Sequence, residues 1–196
     1  EKRRIHELSF DLPIAHQGNV LRSLDLARAF QLDPMARFGE TYAKQISHLG
    51  VSSRGFLTGS IDLVFTDSED LAEARWWVAD WKSNWIGRRN PDGQVAACGP
   101  LYYDERGMEQ QMLLHHYPLQ AHLYLVALHR FLRWRLPSYE PERHLGGYVY
   151  VFLRGVPGSK AMAGSSLDQP VPGLIVEPLP LQRVMFLDRL LQQGGQ

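Results

Sequence analysis

Residues 75–83 read RWWVADWKS. Trp76, Trp77, Val78 and Trp81 give the run the aromatic and β-branched content of a buried strand. Asp80 and Lys82 interrupt it. In a strand, residues i and i+2 share a face, so Asp80 and Lys82 point one way and Trp81 the other. Charges in such a place are costly unless they are paired, hydrated or bound to something. The preceding stretch, GFLTGSIDLVF at 55–65, reads as a second strand, and the polar segment TDSEDLAEA joins the two as an antiparallel hairpin. That pairing carries Asp62 to the end of the sheet where Asp80 sits.

Outward from the hairpin, IHELSFDLPI at 5–14 reads as a strand ended by Pro13. Leu21, Leu24, Ala27 and Ala29 recur at near-helical spacing in GNVLRSLDLARAF, 18–30, and Asp33-Pro34 breaks the chain after them. Residues 35–49 read as a short helix weakened at Gly39. Residues 87–111 are rich in Gly, Pro, Asn and Arg and read as a long loop with a helix beginning near its end. The strongest helical pattern is YPLQAHLYLVALHRFLRWRLPSY, 117–139, with a stripe of Leu119, Leu123, Val126 and Arg130 and a second of Gln120, Tyr124 and Ala127, stopped by Pro137. HLGGYVYVFLRG at 144–155 reads as a strand, 155–173 as a second long loop, and 179–193 as a closing amphipathic helix. The order β, α, α, β, β, α, β, α predicts an α/β fold with a mixed sheet.

The chain has 196 residues, 44% of them apolar and 21% charged, as expected of one sizeable globular domain. No apolar run approaches the roughly 20 residues that span a bilayer. The first ten residues lack the apolar core of a secretory signal, and the chain has no initiator Met, so it reads as a piece cut from a longer protein. A single cysteine, Cys98, excludes an internal disulfide and suits the cytoplasm. Lys plus Arg and Asp plus Glu number 21 each, so there is no basic excess of the kind common in nucleic-acid binders; net charge carries no information on local patches. No G-x-x-x-x-G-K-[ST] motif occurs, which places ATP hydrolysis outside this chain.

Asp62, Asp80 and Lys82 admit two readings. One is an ordinary ion pair between Asp80 and Lys82, with Asp62 as a turn residue. In the other, the carboxylates converge. Paired carboxylates repel unless a proton or cation sits between them, and a hard cation such as Mg2+ takes oxygen ligands while keeping several waters. A protonated lysine is no ligand, but it can orient a water or stabilise charge on a phosphate. Two acids with one lysine therefore suit metal-assisted phosphodiester hydrolysis. Gln120 and Tyr124, at i and i+4, share a helical face and either edge the core or reach a phosphate or sugar.

Taken in order, GFLTGSIDLVF, WWVADWKSNWIG, HHYPLQAHLYLVALHRFL and HLGGYVYVFLRG resemble the nuclease domain of the RecB family, the beta subunits of exonuclease V. Its hallmark is G-x-x-D, then D-Y-K, then Q-x-x-x-Y, and the likeness runs over roughly residues 5–190. The resemblance implies a restriction-endonuclease-like PD-(D/E)XK fold in which a mixed central sheet is flanked by helices, here as one domain over 1–196 that lacks its N-terminal part. It implies that Asp62 and Asp80 ligate Mg2+, with Mn2+ or Ca2+ able to substitute, and that Lys82 is the catalytic lysine. Trp81 replaces the usual Tyr, where the family uses the main-chain carbonyl as a ligand. Gln120 and Tyr124 match the supporting pair, and Glu7 of HELSFDLPI resembles a family glutamate on an early strand. The family also places a metal-ligating His on a helix before this strand; His6 and His48 do not fit that context. The implied substrate is DNA and the implied partners are RecC, RecD and RecA.

Arg88, Arg89, Arg130, Arg133, Arg135, Arg143 and Arg154 are candidate phosphate contacts or solvated ion-pairing residues. His115 could approach DNA, and Cys98 reads as an inert loop residue. Two rivals remain: a nuclease-fold module that binds DNA or protein without cutting, and a metal-dependent hydrolase of another phosphate ester.

Overall fold

The computed structural model describes residues 3–14, 20–70, 73–158 and 171–193. Its centre is a five-stranded sheet. The strands are β1 (Arg4–Ile14), β4 (Gly55–Thr66), β5 (Trp76–Lys82), β8 (Leu145–Phe152) and β9 (Leu174–Pro178), side by side in that order. Only β5 and β8 run parallel; the other neighbours are antiparallel. A parallel pair needs a crossover, and here it contains α3 (Glu105–Leu114) and α4 (Tyr117–Arg135). The α/β class and the mixed sheet are thus as expected, and the 55–65 and 75–83 segments do form an antiparallel hairpin.

Helix α4 packs across β1, β5 and β8 and also against α6 (Leu181–Gln193). Its deepest face is Ala121, Leu125, Leu128 and Leu132, not the expected stripe; Leu119 and Leu123 are only half-buried. The helix is covered on so many sides that apolar spacing alone could not single out one face. It begins with Pro118 in its first turn and stops before Pro137, as Pro geometry favours. On α6, Asp188 accepts a hydrogen bond from Arg130 Nε at 2.6 Å, which ties the two helices. Arg183, also on α6, donates to the carbonyls of Asp33 and Arg37 at 2.6 and 3.0 Å, satisfying backbone at the Asp33-Pro34 break.

Several local expectations are corrected. Pro13 does not end β1, because β1 is an edge strand, where proline is tolerated. The first helix, α1, spans only Ser23–Gln31, after the short strand β2 (Leu21–Arg22), which pairs with β3 (Ser52–Ser53). Leu24 is 61% exposed, whereas Leu26, Ala27, Ala29 and Phe30 are buried. Asp25 is buried too, because its carboxylate accepts the Arg22 N–H at 3.0 Å and caps the helix. The next helix, α2, is Glu40–Ser47 and starts only after Gly39.

The stretch 87–111 is more ordered than its composition suggests. Strands β6 (Arg88–Arg89) and β7 (Val95–Ala97) form a small ribbon turning at Asp92-Gly93, where Gly93 has φ +82°. A 3-10 turn at Pro100–Tyr102 follows, and Asp104 caps α3 by accepting from the Gly107 N–H at 2.7 Å. The second expected loop, 155–173, is neither helix nor strand at 155–158 and 171–173; residues 159–170 lie outside the described residues. The one-turn helix α5 (Pro141–His144) leads into β8. Among the described residues, no helix is long and apolar enough to cross a membrane.

Gly147 on β8 has φ +145°, and a Cβ there would lie 2.1 Å from the Glu177 carbonyl oxygen of β9 and 2.8 Å from the Trp77 ring. Gly50 also has a positive φ, +64°, but opens onto free space. Gly147→Ala is expected to destabilise the fold by on the order of 3 kcal/mol, and Gly50→Ala by about 1 kcal/mol, in urea unfolding. Equal losses would show that the β8–β9 contact is not tight.

Candidate functional site

The β4–β5 ladder ends at Leu63 opposite Ala79, one step before Asp62 would face Asp80. Strand β5 continues regardless, because β8 pairs with it as far as Lys82 opposite Phe152. The hairpin therefore opens between Asp62 and Asp80. Asp62 Oδ2 accepts the Trp81 N–H at 2.9 Å, so a carboxylate takes the place of a ladder carbonyl where the strands part. On the other side of β4, His6 faces Leu63 and Leu8 faces Ile61, but Glu7 between them is unpaired and has φ +54°. A non-glycine residue in the left-handed region inside a strand is strained. By register Glu7 lies level with Asp62, yet it is exposed and is not gathered into the cluster below.

Asp80 is 4% exposed. Its Oδ2 lies 2.5 Å from Lys82 Nζ and makes no hydrogen bond of ordinary geometry. The Lys82 ammonium also donates to Gln120 Oε1 at 2.9 Å and sits 3.9 Å from the Tyr117 ring centre and 5.1 Å from that of Tyr150. Tyr150 is the register partner of Asp80 on β8, and its hydroxyl donates to Gln120 Oε1 at 2.9 Å. Gln120 Nε2 donates to the Tyr124 hydroxyl at 3.0 Å. One amide thus binds lysine and tyrosine through its oxygen and a second tyrosine through its nitrogen, which fixes its orientation.

Burial raises the Asp80 carboxyl above the usual carboxylate range; Lys82 and the Tyr124 hydroxyl pull it down without cancelling that, and Asp62 adds to the rise. Tyr124 is pushed up to about 12 by burial and then by the charges of Asp80 and Asp62. Burial also lifts Tyr150 well above the ordinary phenol value. Both hydroxyls are donors, not bases, near neutral pH.

The expected residues Asp62, Asp80, Trp81, Lys82, Gln120 and Tyr124 therefore meet at one end of the sheet. Among the described residues, no group of three or more His, Cys, Asp or Glu side chains is placed to hold a metal ion. The donors here are two carboxylates, and two are enough for Mg2+ when waters and a substrate phosphate complete the sphere. Tyr117 and Tyr150 were missed. Tyr117 stands three positions before Gln120 on α4, and Tyr150 alternates with Tyr148 on β8, so both were visible as face-sharing positions.

Other candidates disperse. Arg130 pairs with Asp188, and Arg143 with Glu73. Arg133 lies 3.9 Å from Asp188, and Arg135 stacks on Trp134. Arg88 and Arg89 are exposed on the small ribbon, with Arg89 over the Trp85 ring at 4.8 Å. Arg154 donates to the Ser83 carbonyl at 3.1 Å, next to Lys82 in sequence. His6 and His48 are exposed, His115 stacks on Tyr117, and Cys98 is exposed.

No protein-family model matches the chain. Curated relatives do. The chain is 37% identical over 201 residues to "RecBCD enzyme subunit RecB" of Mycolicibacterium smegmatis, covering 96% of this chain and 17% of the relative. It is 35% identical over 206 residues to the protein of the same name from Mycobacterium tuberculosis, covering 97% of this chain and 17% of the relative. With that of Escherichia coli it shares 40% over 141 residues, 72% of this chain and 10% of the relative. The chain thus spans about a sixth of the length of the mycobacterial relatives.

A raised Asp80 favours the folded state below the ordinary carboxylate range, and that contribution is lost as pH rises through its folded value. Lys82→Met removes the charge that holds the carboxyl down. It is expected to cost on the order of 3 kcal/mol in urea unfolding above neutral pH, and less in mild acid, where Asp80 can stay protonated. Asp80→Asn/Lys82→Met is expected to recover most of the loss. A single variant with no pH dependence beyond the parent's would show that the pair is not coupled.

Proposed function

The chain belongs to the RecB family, and on that premise we propose that it is a metal-dependent DNA nuclease domain of the PD-(D/E)XK, restriction-endonuclease-like kind. The observation that carries this reading is the convergence, through hydrogen bonds and the Asp80–Lys82 ion pair, of Asp62, Asp80, Lys82, Gln120 and Tyr124, which come from three separate stretches of chain. Asp62, Asp80 and the Trp81 main-chain carbonyl would hold Mg2+. When bound, the cation supplies Lewis-acid polarisation of the scissile phosphate and a water of lowered pKa.

The chain's own residues account for the rest. The parted strands leave room between the carboxylates. Asp62 fixes the Trp81 backbone, so the peptide beside both acids cannot rotate freely. Gln120 and the Tyr117 and Tyr150 rings hold the Lys82 ammonium where it can position a water or stabilise charge developing on a phosphate oxygen. Arg88 and Arg89 offer phosphate contacts that carry no sequence information. In the longer protein a helicase would deliver single strands to this site during double-strand-break repair, with RecC and RecD as partner subunits and RecA as a docking partner. A second reading is a module that binds DNA or protein without cutting; among the described residues no third His, Cys, Asp or Glu joins Asp62 and Asp80, and that favours it.

Degradation of labelled single-stranded DNA separates the two. The nuclease reading expects Mg2+-dependent cutting that a chelator abolishes. It expects Asp62→Ala and Asp80→Ala each to lower the rate by roughly a hundredfold or more. Cutting unchanged in Asp80→Ala would overturn the site assignment. Binding without cutting would favour the second reading. Arg88→Ala and Arg89→Ala are each expected to weaken binding and to reduce the slope of log affinity against log salt by about one.

A further inference from the structure

Beside the lysine cage lies a groove of about 360 Å3 between β1, β4 and the first half of α4. Phe10, Leu57, Leu119, Leu123 and Tyr124 give it apolar walls, and Gln120 stands where it meets the cage. No Asp, Glu, Lys or Arg lines it; His116 does, and burial together with the neighbouring His115 lowers its imidazole below the ordinary value, which favours the uncharged ring. The Phe10 ring meets Tyr124 edge-on, with centroids 5.8 Å apart at 75°. Its position depends on Gly59: a Cβ there would fall 2.6 Å from the ring, so any side chain at 59 would push Phe10 out of the wall. The groove is thus built, neutral and aromatic, and it shares Gln120 and Tyr124 with the cluster around Asp80 and Lys82.

We propose that this groove holds an unpaired nucleobase of the DNA strand whose phosphate would be engaged through a cation held by Asp62 and Asp80, an inference that rests on the nuclease reading above. The volume lies in the range of small-ligand sites. A phosphate finds no cation in the groove, whereas a base finds ring faces to stack on and an amide to bond. Stacking of this kind tolerates any base. A base inside a duplex has both faces stacked and its edge paired, so it cannot enter. The groove therefore selects single strands, and it does so without reading sequence.

The test measures binding of the chain to short labelled oligothymidylate and to an abasic oligomer of equal length, in chelator so that nothing is cut. Oligothymidylate is expected to bind roughly tenfold more tightly or better. Thr58→Trp, which fills the groove from an exposed lining position, and Leu119→Ala/Leu123→Ala, which strips its wall, are both expected to erase that preference. Affinity for the abasic oligomer should stay near that of the parent, with thermal melting confirming a folded chain. Equal binding of the two oligomers by the parent, no binding of either, or a preference that survives in both variants would overturn the proposal. A base preference without Mg2+-dependent cutting would sink the nuclease reading and leave the groove standing. Cutting without the preference would do the reverse.

Discussion

A buried carboxylate, Asp80, and a partly buried ammonium, Lys82, set the terms for the surroundings of the sheet's end. Each alone would be too costly to desolvate. Together they still need further partners, and the fold supplies them from α4 and β8. The Gln120 amide oxygen accepts a hydrogen bond from the lysine ammonium, the Tyr150 hydroxyl donates to the same oxygen, and the Tyr117 ring covers the ammonium. The position of α4 across β1, β5 and β8 is thus the precondition of the cluster.

The strand geometry is arranged around the same pair. Strand β8 keeps β5 straight past the point where β4 has let go, which holds Asp80 and Lys82 on one face while Asp62 stands off across the gap. Two irregularities meet at that level of the sheet: Glu7 leaves the ladder on one side of Asp62, and the hairpin opens on the other. An ideal ladder would use every backbone group on itself. A parted one leaves carboxylates and a peptide facing a shared space, at the expense of local strain. The raised Asp80 carboxyl belongs to the same compromise, since a burial that disfavours its charge also leaves that charge in want of a cation.

The legible parts of the fold were those in which local pattern and final environment agree. The hairpin, the long helix and the YVYVF strand have strong periodicity or β-branched content, and Pro137 marks a stop that the structure obeys. Asp25 and Leu24 show where such agreement fails. Their spacing made Leu24 a core position, but a capping hydrogen bond buried Asp25 and turned Leu24 outward. The ribbon at 88–97 and strand β9 are short and rest on pairing with distant or locally turned neighbours, which composition does not register. At the site, Asp80, Lys82, Gln120 and Tyr124 were readable from spacing. Tyr117 and Tyr150 occupy legible faces, but each looks like an ordinary core aromatic until the lysine arrives beside it.

By itself the sequence determined the chemistry on offer: two acids, a lysine and an amide–phenol pair, on segments whose periodicity makes them strand, strand and helix. It also determined which of them share a face within one element, since i+2 in a strand and i+4 in a helix are properties of the local backbone. Only the tertiary structure decided that these faces meet. The register of β4 against β5, the end of that ladder at Leu63 and the angle of α4 over the sheet all depend on contacts between residues far apart in the chain. The placement of Glu7 was decided in the same way. Its identity marks it as an acid, but a left-handed backbone in an edge strand leaves it exposed beside the cluster instead of within it.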